Sequence, residues 1–114
     1  MRFVIDRTKW LRGKGTGILL NEEGCRCCIG FVGSQLGIED DDLLNIFCLR
    51  GVDGIGSMAR TCGFVHSSSG GVTDAPFIQM AYELNDDFTL DDAARESKLI
   101  ELFKANGHEL VFEN

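Results

Sequence analysis

Near each end of this chain a pair of apolar residues two positions apart would share one face of a strand, Phe3 with Ile5 and Leu110 with Phe112. Between those ends apolar residues recur at helical spacings. Residues 2–5 and 108–113 are each typical of a short strand, whereas 73–106 contains two amphipathic helical patterns. A chain of 114 residues has room for one domain. The sequence therefore predicts an α+β fold in a single domain over 1–114, with about four helices and a short sheet that includes the N- and C-terminal strands.

Capping residues mark the helix boundaries. Asp6 is expected to cap a short helix that runs through Trp10 and Leu11 and is ended by Gly13. Asp40 opens another short helix, because acidic side chains favour a first helical turn. Pro76 is typical of a helix start, and Thr89 is expected to cap a helix that Gly107 ends.

Apolar residues also follow helical spacing over 27–36, and this segment contains Gly30 and Gly33. Each glycine costs a helix about 1 kcal/mol relative to alanine. The two glycines therefore indicate that another backbone or a ligand approaches this helix closely.

Residues 51–71 are rich in glycine and serine, and only Phe64 and Val65 within them resemble a strand. Loops of this length are uncommon in small domains and are often functional. We expect this segment to form a loop that folds over a bound ligand.

The chain has 11 Lys and Arg against 18 Asp and Glu, a net charge of −7. Phosphate backbones bind to basic surfaces, so this balance argues against a nucleic-acid partner. No apolar run approaches the roughly 18 residues that a membrane span needs. The N-terminus lacks a secretory pattern, and five cysteines in that setting indicate reduced thiols. We therefore expect a cytoplasmic protein of the host cell with no membrane partner.

Three cysteines lie at the predicted start of the 27–36 helix, namely Cys25, Cys27 and Cys28. Amide groups at a helix N-terminus favour a thiolate and lower its pKa, which is the setting of an activated nucleophile. His66 is a candidate base, and Asn85 or Asp86 is a candidate orienting group. Cys27, His66 and Asp86 are therefore the candidate catalytic residues.

Two other interpretations of the cysteines remain open. They are small enough to be inert core residues. Alternatively, Cys25 and Cys28 have the CxxC spacing and Cys62 with His66 has the Cys-x3-His spacing of a zinc site. The helix at Cys28 disfavours convergence of all four ligands, so we expect no metal and no cofactor.

Three motifs occur in a distinctive order: Trp-Leu-x-Gly-x-Gly-x-Gly-x-Leu-Leu over 10–20, Cys-Cys-Ile-Gly-Phe over 27–31, and Leu-Asn-Asp over 84–86 with Phe88 following. This order resembles small phage and prophage proteins of unknown function, although Ile29 replaces their usual leucine. The resemblance implies a phage or mobile-element origin and favours Cys27 as the shared thiol. By analogy, small acidic phage proteins often act against host defence.

These observations lead to three hypotheses on function. The first is a phage-type accessory protein, acting in counter-defence, that binds a small anionic or nucleotide-like ligand in a cleft at the Cys27 helix start. The second is an acidic inhibitor of a host protein such as a nuclease. The third is a cysteine-dependent hydrolase or transferase. The expected ligand-binding residues are Trp10, Gly15, Gly17, Cys27, Cys28, Gly30, Asn85 and Asp86.

Overall fold

The computed structural model describes residues 1–13, 18–52, 62–68 and 71–114. Its strands are β1 (Arg2–Asp6), β2 (Val65–Ser68), β3 (Gly71–Asp74) and β4 (Glu109–Glu113), and its α-helices are α1 (Cys28–Gln35), α2 (Asp40–Leu43), α3 (Pro76–Asp86) and α4 (Asp92–Ala105). Single 3-10 turns span Arg7–Lys9 and Leu49–Gly51. The described residues thus confirm the predicted α+β class, with four α-helices and a short sheet joining the two terminal strands.

Strands β1 and β4 pair in parallel, with Phe3 opposite Leu110 and Ile5 opposite Phe112. Phe3 and Ile5 are fully buried because alternate residues of a strand point to the same face. The other edge of β1 is covered by Gln35, the last residue of α1. The Gln35 Oε1 accepts from the Val4 amide at 2.9 Å, and its Nε2 donates to the Val4 carbonyl at 2.6 Å.

Part of the segment predicted as a loop forms a hairpin instead. Strand β2 pairs antiparallel with β3, with Val65 opposite Asp74. Asp74 ends β3, and α3 begins two residues later at Pro76, the predicted helix start. Residues 53–61 of the predicted loop lie outside the described residues.

The turn after β1 is shorter than the sequence indicates. Asp6 caps it as predicted, since its side chain accepts from the Thr8 amide at 2.9 Å. The 3-10 turn ends at Lys9, and Trp10 is extended and forms an isolated parallel bridge with Arg26. This bridge brings the first predicted motif beside the start of α1.

The core packs around α1, which is buried over Cys28–Gly33. A Cβ built on Gly30 would lie 1.8 Å from the Leu19 carbonyl oxygen, so only glycine allows this approach. Of the two possibilities left open for this glycine, a backbone rather than a ligand occupies the space. Aromatic rings of Phe3, Phe64, Phe77 and Phe103 form the far side of the core. No described helix is long and apolar enough to cross a membrane.

Candidate functional site

Three segments that are distant in sequence meet at the start of α1. The Asn85 Oδ1 accepts hydrogen bonds from the Trp10 indole Nε1 at 2.8 Å and from the Cys28 amide at 2.9 Å. The sequence predicted that Trp10, the Cys27–Cys28 helix start and the Asn85–Asp86 turn would converge, and the structure brings these elements together. We call Trp10, Leu11, Cys28 and Asn85 the Asn85 hub.

The amide of Asn85 has all of its hydrogen-bonding capacity in use. Its Nδ2 donates to the Leu11 carbonyl at 2.9 Å and to the Asp86 Oδ1 at 3.0 Å. With the two bonds accepted by Oδ1, the side chain makes the four bonds that a carboxamide can make. Asn85 is only 1% exposed, so the hub satisfies a polar group inside the core.

The predicted ligand cleft is not open among the described residues at this helix start. The Cys28 amide already donates to Asn85, and the amides of Ile29 and Gly30 form hydrogen bonds with the Cys27 sulfur. Gly30 lies against the Leu19 backbone. These donors are therefore used by the chain itself, and Trp10, Cys27, Cys28, Gly30 and Asn85 are buried rather than lining an open cleft. Gly15 and Gly17 lie outside the described residues.

The expected activation of Cys27 is wrong. Burial raises the pKa of its thiol to about 11, and the backbone amides of Gly30 and Ile29 offset this rise only in part. The thiol is 1% exposed, so desolvation of the thiolate outweighs the helix N-terminus. The thiol keeps its proton to a higher pH in the folded chain than in the unfolded chain. The free energy of unfolding therefore falls as the pH rises from about 9 through about 11.

The other two candidate catalytic residues do not activate the buried Cys27 thiol. His66 is exposed on β2, where it lies opposite Thr73, whereas Cys27 is in the core. Asp86 is close enough for its charge to raise the pKa of Cys27 further. Its Oδ1 accepts from Asn85, so Asp86 completes the hydrogen bonds of the hub. The predicted Cys-His-acid arrangement is therefore not supported as a nucleophilic site.

The alternative zinc interpretation also meets a structural obstacle. Cys28, one of the four proposed ligands, is fully buried, and its Sγ donates to the Ala81 carbonyl at 3.7 Å. Within 1–13, 18–52, 62–68 and 71–114, no group of three or more His, Cys, Asp or Glu side chains is placed to hold a metal ion.

The sequence analysis missed Arg95, which braces the turn between α3 and α4. Its guanidinium is almost fully buried and donates to the carbonyls of Leu84 at 2.9 Å, Asp87 at 2.7 Å and Leu90 at 2.8 Å. A signal was present, since Arg95 is four residues before Leu99 and therefore on the apolar face of α4. A charged residue on such a face indicates that it has hydrogen-bond partners inside the protein.

Alkylation of the folded chain tests the account of the cysteines. At pH 8 a thiol with a pKa of about 11 is ionised in about one part per thousand, and Cys27 is also sealed from reagent. We expect iodoacetamide to label the partly exposed Cys25, Cys48 and Cys62, and to label Cys27 and Cys28 only after unfolding in urea. Peptide mass mapping reads out each site. Rapid labelling of Cys27 in the folded chain would contradict this account.

Comparison of the chain with protein-family models, with curated proteins and with solved structures found no match. Its geometry is therefore the basis for interpreting the site.

Proposed function

We propose that this chain is a phage-type accessory protein that binds a basic surface of a host protein, such as the nucleic-acid groove of a nuclease. The observation that carries this proposal is an exposed aromatic residue on a braced acidic turn. Phe88 is 78% exposed, the highest value among the large apolar side chains of the described residues. It lies between α3 and α4, with Asp86 and Asp87 before it and Asp91 and Asp92 after it. We call Asp86–Asp92 the Phe88 turn.

The Phe88 turn is held in one shape by hydrogen bonds on both sides of the aromatic residue. Arg95 donates to the carbonyls of Asp87 and Leu90, and the Asp87 Oδ1 accepts from the Thr89 amide at 2.9 Å. The Asp91 Oδ1 caps α4 by accepting from the Ala94 amide at 2.7 Å. A turn fixed before binding loses less conformational entropy on binding, which favours affinity.

The charges on this turn favour a basic partner. Hydrogen bonds from the side chain and backbone of Thr89 hold the pKa of the Asp87 carboxyl below its ordinary value, so this group is ionised at neutral pH. The chain as a whole carries −7, which steers it toward a positive surface. Burial of one Phe side chain in a partner pocket stabilises a complex by about 1.5–3 kcal/mol. Asp92 is already paired with Arg12 at 2.8 Å, so Asp86, Asp87 and Asp91 are the acidic groups that the turn offers to a partner beside Phe88. An aromatic anchor next to these acidic groups suits the basic surface of an enzyme that binds nucleic acid.

The hypothesis of small-ligand capture loses its main support in the same structure. That hypothesis depended on free amide donors at the start of α1, and the Asn85 hub and the Leu19 backbone occupy this position. The hypothesis of a cysteine enzyme depended on a lowered pKa at Cys27, and burial raises that pKa. Protein binding requires neither feature.

A pull-down from a bacterial lysate tests the proposal. Nucleic acids are first removed by digestion, because they would compete for the same basic groove. We expect the wild-type chain to retain a basic nucleic-acid-binding protein, with retention falling steeply between about 50 and 200 mM salt. The purified chain should then displace a labelled oligonucleotide from the retained protein.

Two variants distinguish binding through the Phe88 turn from nonspecific hydrophobic binding. Phe88→Ala should abolish retention and oligonucleotide displacement. Phe47→Ala is the matched control, because Phe47 is 70% exposed outside that turn, and it should behave as wild type. Failure to retain any basic protein at low salt would overturn the proposal, as would equal behaviour of the two variants.

A further inference from the structure

Residues 48–52 form a strap that two side chains fasten to the rest of the fold. The Arg50 amide donates to the Asp74 Oδ1 at 2.9 Å. The Leu49 amide donates to the Tyr82 hydroxyl oxygen at 2.7 Å. Asp74 ends β3 and Tyr82 belongs to α3, so both anchors lie outside the strap. Together they hold the Leu49 side chain in the core, where it is fully buried.

The strap covers part of α1. A Cβ built on Gly33 would lie 3.7 Å from the Leu49 Cδ1, so the Leu49 side chain packs against α1 at that glycine. Val52, at the other end of the strap, is also buried. Opening the strap would therefore expose apolar surface of α1.

The Asp74 anchor is incompletely satisfied. Its side chain is 2% exposed, and its Oδ2 has no hydrogen-bond partner among the residues that the structure describes. The Arg50 Nη1 lies 3.5 Å from this oxygen, but the Arg50 side chain is half-exposed, so water screens its charge. A carboxylate oxygen that is sealed from water without a hydrogen bond costs free energy, and that cost disappears when water reaches it.

From this geometry we infer that the strap is a latch controlled by one proton on Asp74. While the carboxyl is ionised, opening the strap hydrates the unpartnered oxygen, and this gain favours the open form. A protonated carboxyl loses much less by burial, so uptake of the proton favours the closed strap. The latch therefore exposes the surface beneath Leu49 more often at neutral pH than in acid. This inference is independent of the role proposed for the Phe88 turn.

The titration of Asp74 has the sign that such a latch requires. Burial raises the pKa of the Asp74 carboxyl above its ordinary value of 3.8, and the Arg50 amide, the Arg50 guanidinium and the nearby Tyr82 hydroxyl offset only part of this rise. In the open strap the carboxyl is in water. The closed strap therefore binds the proton more tightly, and the stability that this proton adds is lost as the pH rises through the raised pKa.

The groups that face Asp74 come from the strap, α3 and β2. The strap contributes Arg50, and α3 contributes Tyr82, whose hydroxyl keeps its proton because burial raises its pKa. Strand β2 places the apolar Val65 opposite Asp74, and the next residue, His66, points to the other face of the hairpin. The thiols near the Tyr82 hydroxyl are those of Cys27 and Cys48. Among these groups, Asp74 is the carboxyl that acid protonates.

Hydrogen exchange of the Leu49 and Arg50 amides in the full chain tests this inference, because each amide loses its acceptor when the strap opens. The Asn45 amide, which donates to the Leu20 carbonyl at 2.9 Å, is the internal reference for changes in the whole fold. After correction for intrinsic exchange rates, we expect protection of the two strap amides to rise relative to Asn45 as the pH falls from about 7 to about 4.

Asp74→Asn supplies a neutral side chain of the same shape. Its Oδ1 can still accept from the Arg50 amide, and its Nδ2 carries no charge to be hydrated. At neutral pH both strap amides should exchange at least about fivefold more slowly than in wild type, the factor expected for one unsatisfied buried group, and their relative protection should no longer depend on pH. Glu23→Gln is the matched control, because it removes the same charge from an exposed side chain, and it should exchange as wild type does.

Circular dichroism checks the fold of each variant. If Asp74→Asn does not fold, the pH series on wild type decides the question. Faster exchange of the strap amides in Asp74→Asn would overturn the inference, as would equal slowing in Glu23→Gln. Wild-type protection that stays constant or falls relative to Asn45 between about pH 7 and about pH 4 would also overturn it.

Discussion

Replacing Asn85 with alanine is expected to remove most of the stability of this chain. The change leaves the Trp10 indole N–H, the Cys28 amide and the Leu11 carbonyl without their partner inside the core. Each buried group that loses its hydrogen bond costs about 1–3 kcal/mol, so we expect the three groups together to cost about 3–9 kcal/mol. Small domains have only about 5–15 kcal/mol in total. Urea unfolding followed by the single tryptophan measures the effect.

Asn106→Ala is the matched control for this prediction. The Asn106 side chain also donates to a carbonyl, that of Leu102 at 2.8 Å, but it is exposed at the end of α4. Its removal should cost no more than about 1 kcal/mol. Asn85→Asp should also destabilise strongly, because it places an oxygen where Nδ2 now donates to Leu11. A loss under about 1 kcal/mol in Asn85→Ala would contradict the role of the hub.

Replacing Gly30 with alanine is expected to have a similarly large effect. The added Cβ would lie 1.8 Å from the Leu19 carbonyl oxygen, which belongs to a backbone that cannot rotate away as a side chain can. Leu19 is itself tied by its amide, which donates to the Ile46 carbonyl at 2.8 Å. Overpacking typically costs about 1–3 kcal/mol, and we expect this substitution to reach the upper end of that range because α1 must move away from Leu19.

Gly33→Ala supplies the control within the same helix. Its added Cβ would meet the Leu43 Cδ2 at 3.2 Å, and the end of a leucine side chain can shift by a few tenths of an ångström. Both substitutions gain the same helix propensity of about 1 kcal/mol, so the difference between them isolates the contact with Leu19. We expect thermal unfolding to show Gly33→Ala near wild type and Gly30→Ala strongly destabilised. Equal effects would contradict the assigned contact.

The fold class could be predicted from the sequence because each hydrophobic period arises within a single helix or strand. Short apolar segments at the chain ends, with Phe3 and Ile5 or Leu110 and Phe112 on one face, indicated β1 and β4, and helical spacing indicated α1, α3 and α4. The hairpin of β2 and β3 was missed because His66 and two serines next to Val65 carry no alternating apolar signal. Pairing between two such strands depends on contacts that a sequence pattern does not show.

The candidate site could be predicted only in part. The motifs indicated that Trp10, the start of α1 and Asn85 would lie together, but they did not indicate what these residues would contact. Whether these residues surround a ligand or pack against one another depends on side-chain packing, which the spacing of residues in a sequence does not show. The pKa of Cys27 illustrates this limit, because a helix start lowers the pKa of a thiol and full burial raises it by more.

The residues of the three motifs singled out in the sequence belong largely to the Asn85 hub and its surroundings. Trp10 and Asn85 share a hydrogen bond, Cys28 donates to the same oxygen, and Gly30 fits against Leu19. Because the fold depends on these contacts, it restricts which residues can occupy these positions, and no catalytic role is needed to explain that restriction. Phe88 differs from them, because its side chain is exposed and the fold gains no core packing from it.

Hydrogen exchange at the Trp10 indole tests the central claim most directly, namely that the motif residues satisfy one another inside the core. The chain has one tryptophan, so one indole N–H resonance reports on the bond to Asn85. The account predicts exchange slowed at least about a thousandfold relative to free tryptophan, as for groups released only by global unfolding. Exchange as fast as in free tryptophan would show that the indole faces water and would contradict the buried hub.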